Sequence, residues 1–222
     1  MPWNQCIGPP RRPVAMPLYA VLKREFVPEF ILPFLAALRV FFRSWSHTAL
    51  ELGAVGQSIA RMLRKGFECE VYYSNRTRRE QVETDLGIHF LDWLSLVGSV
   101  KVLVMALAEH PETINVIDTP TLASVIPGLI LVNPSSPRLI DAQAVKAAVE
   151  SGVVSAFAQD GWWTEPIPRA EEDEYGLLGL ADSRVVITPH AAASTNQTWN
   201  RMTAAAVNNV IRFFVDEKVQ EV

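Results

Sequence analysis

Two short runs, Leu52-Gly53-Ala54-Val55-Gly56-Gln57 and Ser74-Asn75-Arg76-Thr77-Arg78, carry residue types suited to holding phosphate. Glycines at 53 and 56 remove side chains where a strand turns into a helix, so backbone N–H groups at the helix N-terminus can approach an anion. In the pattern G-x-G-x-x-G they fill the second and third positions, and Glu51 stands in the first. A carboxylate there adds like charge beside a pyrophosphate, a contact that costs on the order of 1 kcal/mol or more in a poorly screened crevice. Asn75 lies about twenty residues past the glycines, where an acidic residue bonds the ribose 2′-hydroxyl of NAD. This chain has no carboxylate at that point. Ser74, Asn75, Arg76, Thr77 and Arg78 instead offer hydroxyl and guanidinium donors, which suit a 2′-phosphate. The cofactor-binding candidates are therefore Gly53, Ala54, Val55, Gly56, Ser74, Asn75, Arg76, Thr77 and Arg78, with NADP(H) preferred and NAD(H) as the alternative. The competing readings are a tight turn without a ligand and a solvated helix start.

Such residues need strands and helices in alternation to bring them together, and the apolar pattern supplies them. Strands are expected at 47–52, 70–73, 100–105, 129–132, 155–159 and 185–187, and helices at 56–65, 79–85, 91–97, 113–118 and 141–151. Asp141 sits where an N-cap belongs and Gly152 where a left-handed C-terminal residue belongs. Met202, Ala206, Val210 and Phe213 recur at helical spacing within 195–214, an amphipathic closing helix. The acidic run 171–174 reads as a solvated loop. Residues 1–45 differ in texture: Pro9, Pro10, Pro13, Pro17, Pro28 and Pro33 break them into short pieces, and only 34–45 reads as helical. The first expected strand, opening His47-Thr48-Ala49-Leu50, is poor for a central parallel strand.

With 222 residues, 49% of them hydrophobic, the chain has room for one full domain and a fragment of a second. A net charge of −4 without a long basic block gives no electrostatic footprint for nucleic acid. Cys6 and Cys69 stand far apart without ligand-spaced histidines, which suggests neither a metal site nor a disulfide framework and fits a reduced, cytoplasmic compartment. The apolar stretch 30–38 is broken by Pro33 and is shorter than the ~20 residues of a spanning helix, and no secretory signal pattern is present. No membrane association is expected.

Three further runs follow in order: Val132-Asn133-Pro134-Ser135-Ser136-Pro137, Asp160-Gly161-Trp162-Trp163-Thr164-Glu165-Pro166, and Thr188-Pro189-His190. Together with the two phosphate-binding runs, over about residues 50–215, they resemble the D-isomer-specific 2-hydroxyacid dehydrogenase family. The pattern around Arg76 is similar to its NADP-preferring reductases of glyoxylate or hydroxypyruvate. The resemblance implies an α/β, Rossmann-like, doubly wound and mostly parallel sheet with a truncated second domain. It divides the chain into an atypical Pro-rich remnant of the substrate domain (1–45), a dinucleotide-binding domain (46–190) and the closing helix (191–222). It implies His190 as the acid/base at the substrate hydroxyl and Glu165 as the carboxylate that orients it and stabilises its charged form. It also implies a small 2-oxo or 2-hydroxy acid substrate and a homodimer.

Two positions depart from the family pattern. The arginine that clamps the substrate carboxylate belongs three residues after Asn133, where this chain has Ser136, and Pro137 follows in place of glycine. A serine gives one neutral hydrogen bond, so the loss is expected to cost ~10²-fold or more in rate. Arg138, two positions on, is a poor substitute because the displacement is large for a positioned group. The N-terminal region also lacks the loop whose amides receive the substrate carboxylate. Three readings stand at this point: an impaired dehydrogenase or reductase, a non-catalytic dinucleotide-binding or interaction module (a pseudoenzyme), and a partial gene product without independent function.

Overall fold

The computed structural model describes residues 48–50, 52–180, 184–191 and 194–214. The expected Pro-rich remnant, its helix at 34–45, and Glu51 lie outside the described residues. Seven strands form one sheet: β1 (Thr48–Leu50), β2 (Val71–Tyr73), β3 (His89–Phe90), β4 (Val102–Val104), β5 (Leu129–Asn133), β6 (Val154–Asp160) and β7 (Val185–Thr188). Their order is β3-β2-β1-β4-β5-β6-β7, and every pairing is parallel. Strand order reverses between β1 and β4, so the connections leave a crevice there at the carboxyl ends of the strands. This is the doubly wound parallel sheet expected. Among the described residues β7 pairs only with β6, and its Val186 is 61% exposed.

The helices are α1 (Ala54–Gly66), α2 (Glu80–Leu86), α3 (Trp93–Val97), α4 (Thr119–Ala123), α5 (Ala142–Ser151) and α6 (Asn196–Phe214). α1 starts directly at the glycine turn and buries Gly56 and Ala60, small residues that let it lie close on the sheet. Arg64 and Lys65 in its last turn complement the helix dipole. α5 is punctuated as expected: Asp141 accepts the Gln143 and Ala144 N–H groups, and Gly152 closes the helix at φ +80°.

Side chains alternate across the pleat, so the sheet carries two cores. Leu103, Leu129, Leu131 and Phe157 join Leu96, Ile117, Leu139, Val145 and Val149 in the larger one. Val104, Val71 and Tyr73 join Leu52, Ala60 and Ile88 in the smaller one. β4 thus faces both, through neighbouring residues Leu103 and Val104.

Three expectations need correction. No helix spans 113–118: residues 111–115 form a turn, where Asn115 has φ +53° and the Thr113 hydroxyl bonds Ala108 and His110 backbone groups. The helix begins later, at Thr119, because Asp118 caps it through the Thr121 N–H and Pro120 suits its first turn. The helix expected over 91–97 starts at Trp93, with Asp92 as its cap. β3 was not foreseen; two residues hold too little alternation to be read, and the left-handed Gly87 that ends α2 sets its start. Within the acidic run one 3-10 turn, Ala170–Glu172, forms.

Candidate active site

The glycine turn and the basic run meet at the switch point because β1 and β2 are neighbours in register, Leu50 beside Tyr73. Asn75 accepts the Leu52 N–H on its side-chain oxygen at 2.8 Å, tying the second loop to the first. Gln57 reaches back to donate to the Leu52 carbonyl at 3.2 Å. Gly53 occupies the N-cap of α1 without a side-chain cap bond, and a Cβ there would meet nothing within 4 Å. The first N–H groups of this 13-residue helix have no partner among the described residues.

Next to this turn is a cavity of about 310 Å³, lined by Ser74, Asn75 and Arg76 on one side and by Trp93, Met105, Ala106, Leu107, Ala108, His110 and Thr113 on others. Its walls are mostly apolar, with polar groups both at Ser74 to Arg76 and at His110, Glu112 and Thr113, a mixture that suits a ligand with apolar and polar parts. Arg76 is exposed and has no hydrogen-bond or ion-pair partner among the described residues. Arg78 is different. Its guanidinium binds Glu83 through two bonds of 2.8 Å and lies 5.7 Å over the Phe90 ring. Glu83 also accepts the Tyr73 hydroxyl at 2.6 Å, and that hydroxyl accepts the Arg79 N–H at 2.7 Å. The Arg78 bonds, and then the Tyr73 bond, hold the Glu83 carboxyl down at about 2, while burial and Glu83 push the Tyr73 hydroxyl up. Arg78 is thus a strut of this loop, whereas Arg76 has no such partner among the described residues.

A second group assembles at the carboxyl ends of β5, β6 and β7. His190 Nδ1 lies 2.8 Å from Glu165 Oε1, although 25 residues separate them. His190 sits at φ +51°, a left-handed conformation that costs on the order of 1 kcal/mol. Its turn is pinned on both sides: Asp160 accepts the Thr188 hydroxyl and the Ala191 N–H, and Gly161 N–H donates to the Thr188 carbonyl. The dyad opens outward, with His190 70% and Glu165 54% exposed. The Nδ1 contact leaves Nε2 without a partner among the described residues.

Beside the dyad, Gly161 has φ +98°, a conformation that favours glycine, and a Cβ there would make ordinary contacts with Glu165 Oε1 at 3.6 Å, Pro137 Cγ at 3.7 Å and His190 Cβ at 3.8 Å. The loop after β5 is fixed by buried Asn133, which donates to the Ser136 carbonyl and to Gln159 Oε1 and accepts the Ser135 N–H. Ser136 and Arg138 both contact Glu109. The sequence reading missed Glu109, Asp160 and Gln159. Glu109 could have been found as the acid that ends the apolar run of β4, at the sheet end where such folds bind ligands. Among the described residues no group of His, Cys, Asp and Glu could hold a metal ion, and no helix is long and apolar enough to cross a membrane.

A model of the D-isomer specific 2-hydroxyacid dehydrogenase NAD binding domain matches residues 47–192. Glyoxylate/hydroxypyruvate reductase B of Yersinia enterocolitica is 31% identical over 162 residues, covering 73% of this chain and 48% of that protein. Glyoxylate reductase of Korarchaeum cryptofilum is 30% identical over 162 residues, covering 73% and 47%. The chain thus spans about half the length of the curated relatives it matches. Among solved structures, D-lactate dehydrogenase with NAD+ from Lactobacillus jensenii superposes with a TM-score of 0.71 at 18% identity, over 82% of this chain and 56% of that one. The apo D-lactate dehydrogenase of Escherichia coli gives 0.66 at 21% identity, over 80% and 54%. At such identities these structural likenesses speak for the fold alone.

Proposed function

The chain belongs to the D-isomer specific 2-hydroxyacid dehydrogenase family, through its NAD binding domain, and from that premise we propose that it is an oxidoreductase acting on a CH–OH group. The reaction is hydride transfer between a nicotinamide dinucleotide and a small 2-hydroxy or 2-oxo acid, slow because Ser136 stands at the clamp position. When bound, the dinucleotide supplies or accepts the hydride. His190 moves the proton at the substrate oxygen, and Glu165 holds the imidazole in orientation and stabilises its charged form. The observation that carries this reading is the 2.8 Å contact between His190 Nδ1 and Glu165 Oε1 at the carboxyl end of the sheet.

Gly53 to Gly56 are assigned to the pyrophosphate and Ser74 to Thr77 to the adenosine ribose. Arg76, without a partner among the described residues, favours a 2′-phosphate, hence NADP(H) over NAD(H). A cytoplasmic setting belongs to the same reading. One observation favours a second reading, a dinucleotide-binding module without turnover: the clamp position is occupied by a neutral hydroxyl already bonded to Glu109.

Fluorescence titration with NADPH and NADH, followed by an assay with glyoxylate or hydroxypyruvate, separates the two. Binding with slow reduction that His190→Ala abolishes supports the oxidoreductase. Binding without any reduction supports the module, and absence of binding removes both.

A further inference from the structure

Glu109, just beyond β4, serves neither the dinucleotide crevice nor the dyad directly. Its carboxylate is divided between two partners: Oε2 accepts the Ser136 hydroxyl at 2.6 Å and Oε1 accepts Arg138 Nη1 at 2.7 Å. The Ser136 hydroxyl in turn accepts the Arg138 backbone N–H at 3.2 Å. Pro137, between them, borders Gly161, as Glu165 and His190 also do. This shared neighbour puts the Ser136–Arg138 loop within reach of a substituent on a carbonyl compound held at His190.

A carboxylate arriving there meets an unfavourable arrangement. Arg138, the cation of this loop, is already paired, and the Ser136 hydroxyl proton is given to Glu109. Glu165 adds a second negative group close by. A neutral substituent brings no charge to repel, and an N–H or O–H on it can donate to Glu109, a charge-assisted bond. Charge placed at a site's rim discriminates between ligands of one shape more strongly than it sets affinity.

We propose that Glu109 is a specificity-determining residue that turns the site away from free 2-oxo acids and toward neutral carbonyl compounds with a hydrogen-bond donor beside the carbonyl, such as 2-oxo amides. This rests on His190 as the proton donor: the carbonyl carbon receives hydride from the reduced dinucleotide, the oxygen receives the proton, and the alcohol and oxidised dinucleotide leave.

Pyruvate and pyruvamide form the test pair, alike in shape and different in charge. Binding to the full chain in the presence of NADPH is measured by saturation-transfer NMR, and turnover by loss of NADPH absorbance. The unmodified chain is expected to prefer pyruvamide by roughly fivefold or more, the scale of one partly screened charge at close range. Glu109→Gln should move the ratio toward pyruvate by a similar factor, because Arg138 is released to meet the carboxylate. Adding Arg138→Ala should cancel that gain, with thermal melts confirming that each variant is folded. A preference of the unmodified chain for pyruvate, an unchanged ratio in Glu109→Gln, or binding of neither compound overturns the proposal. Failure of the oxidoreductase reading looks different. NADPH would not bind, or His190→Ala would leave its consumption unchanged, while the NMR ratio still judges Glu109.

Discussion

His190 and Glu165 share a 2.8 Å contact, and under the proposed proton transfer truncating either should slow reduction. His190→Ala is expected to lower reduction by about 10²-fold or more, whereas Glu165→Gln should lower it less and change its pH profile, because the imidazole keeps its place but loses its counter-charge. Steady-state rates across pH distinguish them. Arg76→Ala should weaken NADPH and leave NADH nearly unchanged, and equal loss for both removes the 2′-phosphate assignment. Ser136→Arg alone should restore little activity toward a 2-oxo acid, since Glu109 lies 2.6 Å from the present hydroxyl and would capture the new guanidinium. Glu83 makes a separate prediction. Its carboxyl falls from the ordinary 4.5 to about 2, so the stability it contributes is present above about 4.5 and is lost as pH falls through about 2. The melting temperatures of the wild type and Glu83→Gln should therefore differ more at pH 7 than at pH 2. The structure brings His190 and Glu165 into contact, and their pairing was legible through the family resemblance of their two short motifs. Glu109 was not, because its partners come from a loop 27 and 29 residues away and only the sheet brings them together. The basic run was read as one patch, yet packing divides it between Arg76 and the Arg78–Glu83 strut.

At the scale of single elements, the helices with clear punctuation were those read best. α5 has Asp141 before it and Gly152 after it, and the structure uses both. Removing the cap with Asp141→Ala should cost about 1 kcal/mol, seen as a lower midpoint in urea without a change of slope. α4 carries the same signal in Asp118-Thr119-Pro120, but the preceding apolar Ile114, Val116 and Ile117 suggested a helix where the Thr113 hydroxyl and Asn115 build a turn. Local hydrogen bonds of this kind compete with helix and leave no periodic trace. β3 escaped for a simpler reason, its two residues being shorter than the alternation that reveals a strand. β5 and β6, rich in apolar residues, were expected within a residue or two of where they lie. Shortening such a run should be costly: Phe157→Ala, in the larger core, is expected to lose about 3–5 kcal/mol by chemical denaturation.

For the molecule as a whole, the cavity beside Ser74 to Arg76 lies where β4 divides its side chains between two cores. A ligand held there touches groups anchored in both, so saturating NADPH should raise the melting temperature, by the equivalent of about 2.7 kcal/mol at a hundred times its dissociation constant. α6 stands apart from this economy, since none of its residues is buried and Trp199, Val210, Phe213 and Phe214 are exposed. The expectation of a long amphipathic closing helix holds for its length and pattern, while its apolar side faces outward among the described residues. The outermost strand carries a different liability. β7 reads Val-Val-Ile-Thr, has no charged residue, and pairs on one side only among the described residues. Rows of open backbone groups on uncharged, β-branched segments are templates for fibrillar self-assembly, and charged gatekeepers normally blunt them. Once heat loosens the surroundings of this strand, precipitation should therefore nucleate there. Val186→Lys, at a position already facing solvent, should lengthen the lag of light scattering on heating while leaving the melting temperature nearly unchanged.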